Sequence, residues 1–196
     1  MIFDVHLREC RDAVAVFDHL EKAAGFKADF NLRFVWIAAV SAMDHYISQV
    51  ILERATYAYG NNIPLQGKLL ADGMTFSNAI ALRQADPVNS VLIFRQILDG
   101  VIRFKSFQHP DKISDGLAYI WPEKHKWKYI SEQLGAESDA VKRKLSAIVD
   151  RRNLIAHNGD YDEGLGRKLA VTKSDAEEVI NFIGGVVAVI DAAVAP

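Results

Sequence analysis

Apolar residues recur at spacings of three and four along most of the chain, and this period is typical of amphipathic α-helices. The first such pattern occupies residues 3–24, with Cys10 on its apolar side and Gly25 available to end it. The same analysis predicts further helices at residues 31–59, 88–107, 123–135 and 138–158, a short one capped by Thr75 or Ser77, and a last one opened by a capping box at residues 174–177. Residues 61–74, which include a proline and two glycines, are predicted to form a loop. We therefore predict an all-α fold, a single-domain helical bundle that covers residues 1–196.

The helix predicted at residues 31–59 differs from the others because it is apolar on more than one side. A helix of this kind is normally central and covered by several neighbours. Asp44 and His45 interrupt its apolar surface, and the simplest interpretation places both on its one solvated face. The chain is thus expected to be organised around a long hydrophobic helix.

Composition and charge narrow the class of protein. Half of the 196 residues are hydrophobic, and the formal net charge of −2 argues against capture of nucleic acid by the whole surface while allowing a local basic cleft. Cys10 is the only cysteine, so neither an internal disulfide nor a multi-cysteine metal site is expected. The most apolar stretches, residues 34–43 and 179–190, are shorter than the ~20 residues of a membrane-spanning helix, and no secretory signal is recognised. A cytoplasmic protein without a membrane partner is expected.

The last turns of the helix predicted at residues 138–158 carry an unusual set of polar side chains. Arg152 points into the middle of an apolar stripe, although an arginine is rarely buried without a partner because removing its charge from water is costly. Asn153 and His157 lie one turn apart on a different face, which Asp150 shares. This helix therefore combines a cation, an amide and an imidazole within six residues.

The sequence Arg152-Asn153-Leu154-Ile155-Ala156-His157 resembles the signature of the HEPN superfamily (higher eukaryotes and prokaryotes nucleotide-binding), whose ribonucleases carry an arginine and a histidine separated by a short spacer. The spacer is four residues here, and Asn153 supplies the polar residue often seen directly after the arginine. The all-helical pattern, the motif at the end of a late helix and the long early hydrophobic helix are similar to the RiboL-PSP-HEPN subgroup. The resemblance extends over residues 32–193 and implies a HEPN-like helical fold.

The resemblance implies a metal-independent endoribonuclease of the toxin or antiviral-defence type. The ribose 2′-OH is the nucleophile in such enzymes, so neither a cofactor nor a metal is expected. His157 would act as base or acid, Arg152 would stabilise the transition state, and Asn153 would orient His157 or hold a phosphate oxygen. Because one chain supplies one such histidine, a homodimer with a shared cleft is expected, and the products would be a 2′,3′-cyclic phosphate and a 5′-hydroxyl. Asp44 and Asp150 are candidate acids of that cleft, and the protein partner suggested by the resemblance is a cognate antitoxin or defence protein.

One position departs from the pattern of some HEPN toxins. Toxins that a partner nucleotidyltransferase neutralises carry a tyrosine two residues after the histidine, but Gly159 occupies that position here. The nearest tyrosine, Tyr161, is four residues after His157. Control by adenylylation is therefore not expected.

Basic residues alternate with aromatic residues at positions 124–129, and residues 101–152 include eleven Lys or Arg against seven Asp or Glu. Lysine neutralises phosphate and aromatic rings stack on unpaired bases, so this composition suits RNA. Lys124, Lys126 and Lys128 are candidate RNA-binding residues, together with Arg151 beside the motif. The alternative is an ordinary solvated basic face.

Two further interpretations of the motif remain open. Arg152 could pair with an acid such as Asp44 or Asp150 while His157 only caps the helix end, which would describe a non-catalytic HEPN module that binds nucleotide, RNA or a partner protein. A helical scaffold or antitoxin-like partner without a nucleic-acid role is the third hypothesis. The sequence contains no Gly-rich phosphate loop, HExxH, G-x-S-x-G or CxxC motif that would favour another class of enzyme.

Overall fold

The structure, a computed structural model, describes residues 2–24 and 28–195. Gly25, expected to end the first helix, lies outside the described residues. The elements in chain order are α1 (Ile2–Ala24), α2 (Asp29–Gly60), α3 (Gly67–Gly73), α4 (Phe76–Gln84), α5 (Pro87–Ile102), α6 (Pro110–Leu117), α7 (Lys126–Gln133), α8 (Ser138–Asn158), β1 (Tyr161–Asp162), β2 (Arg167–Lys168) and α9 (Lys173–Ala193). The prediction of an all-α fold is confirmed.

Helix α2 is the centre of the described structure and contacts α1, α5, α6, α8 and α9. Apolar side chains on several of its sides, including Val35, Met43 and Ile51, are fully buried. By length and composition alone α2 is long and apolar enough to cross a membrane. The expectation that this region is too short for that considered only residues 34–43 and underestimated the apolar length of the helix. Because 61% of its most apolar window is buried inside the fold, packing against five helices accounts for the composition.

Helix α9 packs closely against its neighbours at two adjacent glycines. A Cβ atom added to Gly184 would lie 3.2 Å from Leu7 Cδ1 of α1, and one added to Gly185 would lie 3.2 Å from Leu134 Cδ2, just after α7. The absence of both side chains therefore sets the distance from α9 to these neighbours.

Several boundaries differ from the prediction because long-range packing decides them. The predicted loop at residues 61–74 contains α3, which Leu69 anchors with an exposed fraction of 4%. Helix α5 ends at Ile102 rather than at residue 107, because Phe107 belongs to a loop and packs against Gly116 of α6, where an added Cβ would lie 2.4 Å from the ring. Helix α6 begins at Pro110, and α7 begins at residue 126 rather than at residue 123.

The segment that follows α8 forms a small antiparallel hairpin, with Tyr161 paired to Lys168. The capping box of α9 is formed by Thr172 and Asp175, two residues earlier than predicted. The Asp175 N–H donates to Thr172 Oγ1 at 3.1 Å, and the Thr172 N–H donates to the Asp175 carboxylate at 2.9 Å. The hairpin and this cap fix the chain between α8 and α9.

Candidate functional site at the end of helix α8

Backbone hydrogen bonds close the end of helix α8, and the side chain of His157 takes no part in them. Gly159 adopts a left-handed conformation (φ 60°), as the predicted helix end requires. The N–H groups of Gly159 and Asp160 donate to the carbonyl oxygens of Ile155 and Leu154, each at 3.1 Å. His157 is exposed, and its imidazole has no hydrogen-bond partner within the described part of the chain. Backbone groups therefore satisfy these two carbonyl oxygens. His157 forms no hydrogen bond to the helix end, but it is the basic residue of the last turn, where a cation interacts favourably with the helix dipole.

Arg152, one and a half turns earlier, is half-buried and is held by an amide rather than by an acid. Its Nη2 donates to Oε1 of Gln108, and Nε2 of Gln108 donates to Oδ2 of Asp44 at 2.6 Å. The Phe107 N–H donates to the other oxygen of the same carboxylate, also at 2.6 Å. Within residues 2–24 and 28–195, Arg152 forms no ion pair, and its buried Nε has no hydrogen-bond partner. Asp44 thus reaches the motif through Gln108 and does not pair with Arg152 directly.

The face of α8 that carries Asp150, Asn153 and His157 is open to solvent at both of its ends. Asp150 is exposed and lines an open groove of about 700 Å³ with His109 and Arg143. Asn153 is half-buried, and no hydrogen bond of its side chain is formed to any described residue. Nowhere in the described ranges do three His, Cys, Asp or Glu side chains gather in a geometry that could hold a metal ion.

Comparison with protein families gives a match over almost the whole chain. The model of the RiboL-PSP-HEPN family matches residues 6–195. The chain belongs to the RiboL-PSP-HEPN family. Comparisons with curated proteins and with solved structures gave no significant match. The resemblance inferred from Arg152 to His157 is thereby confirmed, and the helical architecture is that of a HEPN domain.

A second network beside the HEPN motif is buried and ionic. Asp160 is fully buried and left-handed (φ 67°), and its carboxylate contacts two arginines. Arg33 Nε of α2 donates to Asp160 Oδ2 at 2.7 Å, and Arg151 Nη2 donates to the same oxygen at 2.8 Å. Arg33 also donates to Asp29 at 2.6 Å and to the carbonyl oxygen of Leu169 at 2.8 Å. An ion pair of the kind that the alternative interpretation gave to Arg152 is therefore made by its neighbour Arg151.

The Arg33 guanidinium is stabilised in its charged form despite its position. Burial lowers its pKa, but the hydrogen bonds to Asp29 and Asp160 and the attraction of both carboxylates outweigh that effect, so the pKa is raised. Sequence reasoning missed this network. The signal was Arg33 itself, a cation in an otherwise apolar stretch of α2, but nothing in the periodicity identifies Asp160 as its partner.

The four basic residues predicted to bind RNA lie in three different environments. Lys124 and Lys128 are exposed, and Arg151 is engaged by Asp160. Lys126 is only 7% exposed; its Nζ donates to the carbonyl oxygen of Glu123 at 2.6 Å, and burial lowers its pKa. Lys124 and Lys128 are therefore the members of this set that a phosphate could reach without rearrangement. RNA binding by all four residues stays a prediction.

Proposed function

We propose that this HEPN protein is a metal-independent endoribonuclease of the toxin or antiviral-defence type. The observation that carries the proposal is the state of His157, which is exposed and unbonded among the described residues at a helix end that backbone groups already cap. An exposed imidazole without a hydrogen-bond partner can exchange a proton with a bound substrate, and histidine is the side chain most often used for that purpose. Membership of the RiboL-PSP-HEPN family supports the same conclusion.

The proposed reaction uses the RNA as its own nucleophile. The ribose 2′-oxygen attacks phosphorus, the bond from phosphorus to the 5′-oxygen breaks, and a 2′,3′-cyclic phosphate and a 5′-hydroxyl result. An imidazole must accept the proton of the 2′-OH, and a protonated imidazole must supply one to the departing 5′-oxygen. Arg152 would bind the non-bridging oxygens and favour the more highly charged transition state, and Asn153 would orient His157 or a phosphate oxygen.

A second copy of the chain would complete the site. Arg152 and His157 are separated by about 140° around α8 and by ~7.5 Å along it, so one motif does not enclose a phosphate from both sides. We propose a two-fold homodimer in which paired motifs line one cleft. Large apolar side chains with high exposure support association. Phe104, in the loop that joins α5 to α6 and contacts Asp44, is 86% exposed, and Phe76 of α4 is 84% exposed.

The experiment that tests the proposal asks whether the protein cleaves RNA and by which chemistry. Purified wild type is incubated with total cellular RNA and with tRNA in the presence of EDTA, and the ends of the fragments are mapped. We expect cleavage without added metal, cyclic phosphate ends, and loss of cleavage when a 2′-deoxynucleotide replaces the nucleotide on the 5′ side of a mapped site. Cleavage that survives this replacement would contradict attack by the 2′-OH.

A correctly folded wild type that cuts no RNA would overturn the proposal of an endoribonuclease. The alternative, a non-catalytic HEPN module, would then remain. Retention of RNA on the immobilised protein at low salt then separates the remaining possibilities, because phosphate contacts are strongest there. Retained RNA would indicate a binding module. No retention would indicate a scaffold or an antitoxin-like partner.

A further inference from the structure

Gln108 occupies the position between the motif arginine and the acid of the central helix. It lies in the loop that joins α5 to α6, 64 residues from Asp44 and 44 residues from Arg152 along the chain. Its amide contacts both side chains, one at each end. This arrangement brings a residue into the candidate site that no motif in the sequence indicates.

The direction of the Gln108 amide follows from the chemistry of its two neighbours. An ionised carboxylate only accepts hydrogen bonds and a guanidinium only donates them. Nε2 must therefore face Asp44, and Oε1 must face Arg152. Asp44 sets the orientation of the amide, and the amide in turn presents an acceptor to Nη2 of Arg152.

The loop that carries Gln108 is itself held firmly. The preceding residue, Phe107, is 2% exposed, and its backbone N–H donates to Asp44 Oδ1 at 2.6 Å. Its ring lies so close to Gly116 of α6 that an added Cβ would come within 2.4 Å of it. A side chain supported by packing and by hydrogen bonds in this way can hold a catalytic group in one geometry.

The neutrality of Gln108 also matters for the charge of Arg152. A carboxylate in the same place would form an ion pair and cancel much of the positive charge that a phosphate needs. The Gln108 amide orients the guanidinium and leaves that charge available, because the Gln108 side chain lies between Arg152 and the carboxylate of Asp44. We propose that Gln108 is a positioning residue for Arg152: it fixes the guanidinium for the phosphate and separates it from Asp44. This inference rests on the proposed function.

The test uses two variants and one matched control. Gln108→Ala removes the link. The double variant Asp44→Asn with Gln108→Glu keeps a chain of hydrogen bonds, because the amide introduced on α2 can donate to the new carboxylate, but it places a negative charge directly against Arg152. Gln96→Ala, at an exposed position of α5, is the control. Steady-state cleavage at varied RNA concentration gives kcat and KM. ¹⁵N NMR reports whether Nη2 of Arg152 is held, and the Arg152 guanidinium signals are assigned as those that disappear in Arg152→Lys.

We expect Gln108→Ala to merge the separate Nη signals of Arg152 and to lower kcat by about 10- to 100-fold, as for a misplaced catalytic group. The double variant should keep the separate signals and the melting temperature and still lose kcat by at least about tenfold, with KM changed less than kcat. The Gln96→Ala control should match wild type in both measurements.

Two results would overturn the positioning role. One is an unchanged Arg152 spectrum in Gln108→Ala. The other is wild-type kcat in the double variant, because a purely structural link would be restored there. A wild type that cuts no RNA would instead overturn the proposed function, and the Arg152 spectra would still decide whether Gln108 holds the guanidinium.

Discussion

Arg152 donates through Nη2 to the side-chain oxygen of Gln108, and no carboxylate of the described residues forms an ion pair with it. The alternative interpretation, in which Arg152 pairs with an acid such as Asp44 or Asp150, therefore finds no support among the described residues. The partner of Arg152 is instead the neutral amide of Gln108, which itself donates a hydrogen bond to Asp44. The charge of Arg152 is therefore not cancelled by an ion pair within the described structure and is available to a phosphate.

The first prediction concerns the stability cost of losing Arg152. Arg152→Ala removes one hydrogen bond from a charged donor, so we expect the free energy of unfolding to fall by about 1.5 to 3 kcal/mol. Urea denaturation followed by circular dichroism measures this change, with Arg143→Ala, an exposed position on the same helix, as the control. A loss of about 3 to 5 kcal/mol, as for breaking a buried ion pair, would show that Arg152 serves the fold.

Asp160 is the opposite case, because two arginines converge on its buried carboxylate. Asp160→Asn keeps a residue type that tolerates the left-handed backbone but removes the charge. We expect a loss of about 1.5 to 3 kcal/mol, since Arg33 and Arg151 each lose a charged acceptor while Arg33 keeps its hydrogen bond to Asp29. Glu163→Gln, an exposed charge removal in the same hairpin, should change stability by less than about 0.5 kcal/mol. Equal effects of the two substitutions in denaturation experiments would contradict a structural role for the network.

The lysines near α7 should differ in their contribution to RNA affinity. Each lysine that contacts a phosphate of single-stranded RNA contributes about 0.7 to the slope of log K against log salt. We expect Lys124→Gln to reduce the slope by about that amount, because its side chain is exposed, and Lys126→Gln to leave the slope unchanged, because Lys126 is buried. Fluorescence anisotropy over a salt series, with a catalytically inactive background, measures both. A larger slope change for Lys126→Gln would be incompatible with its buried position.

A shared cleft predicts how inactive subunits act on active ones. If both imidazoles serve one phosphate, a mixed dimer of wild type and His157→Ala is inactive. A tenfold excess of His157→Ala, left to exchange subunits, should therefore lower wild-type cleavage to roughly a tenth. The same excess added immediately before the assay is the control, because no exchange has taken place. Unchanged activity after full exchange would indicate independent sites in each chain.

The helices and the motif could be predicted because their signals are local and periodic. Helix α8 begins at Ser138 and is terminated by Gly159, both as expected from the pattern, and the multi-sided apolar character of α2 indicated its central place. The end of α5 was predicted too late because the Phe107 N–H donates to Asp44, 63 residues earlier in the chain, instead of to a carbonyl oxygen of the helix. Patterns along the chain do not record such contacts.

The polar partners could not be predicted for the same reason. Gln108 is an ordinary loop glutamine until the fold brings it between Asp44 and Arg152, and Asp160 follows a helix-ending glycine where a solvated side chain is usual. Arg33 and Arg151 carried the only indication, since cations beside apolar positions require a partner. The sequence therefore indicates the candidate chemical groups but not the residues that hold them.

The central claim, that His157 carries out proton transfer in RNA cleavage, is tested most directly by one rate comparison. Single-turnover cleavage of a mapped RNA site is measured in EDTA for wild type, for His157→Ala and for His19→Ala, an exposed histidine on α1. We expect His157→Ala to lower the rate by at least about 100-fold, the range of general acid–base catalysis, and His19→Ala to leave it unchanged. Cleavage by His157→Ala at the wild-type rate would contradict the claim.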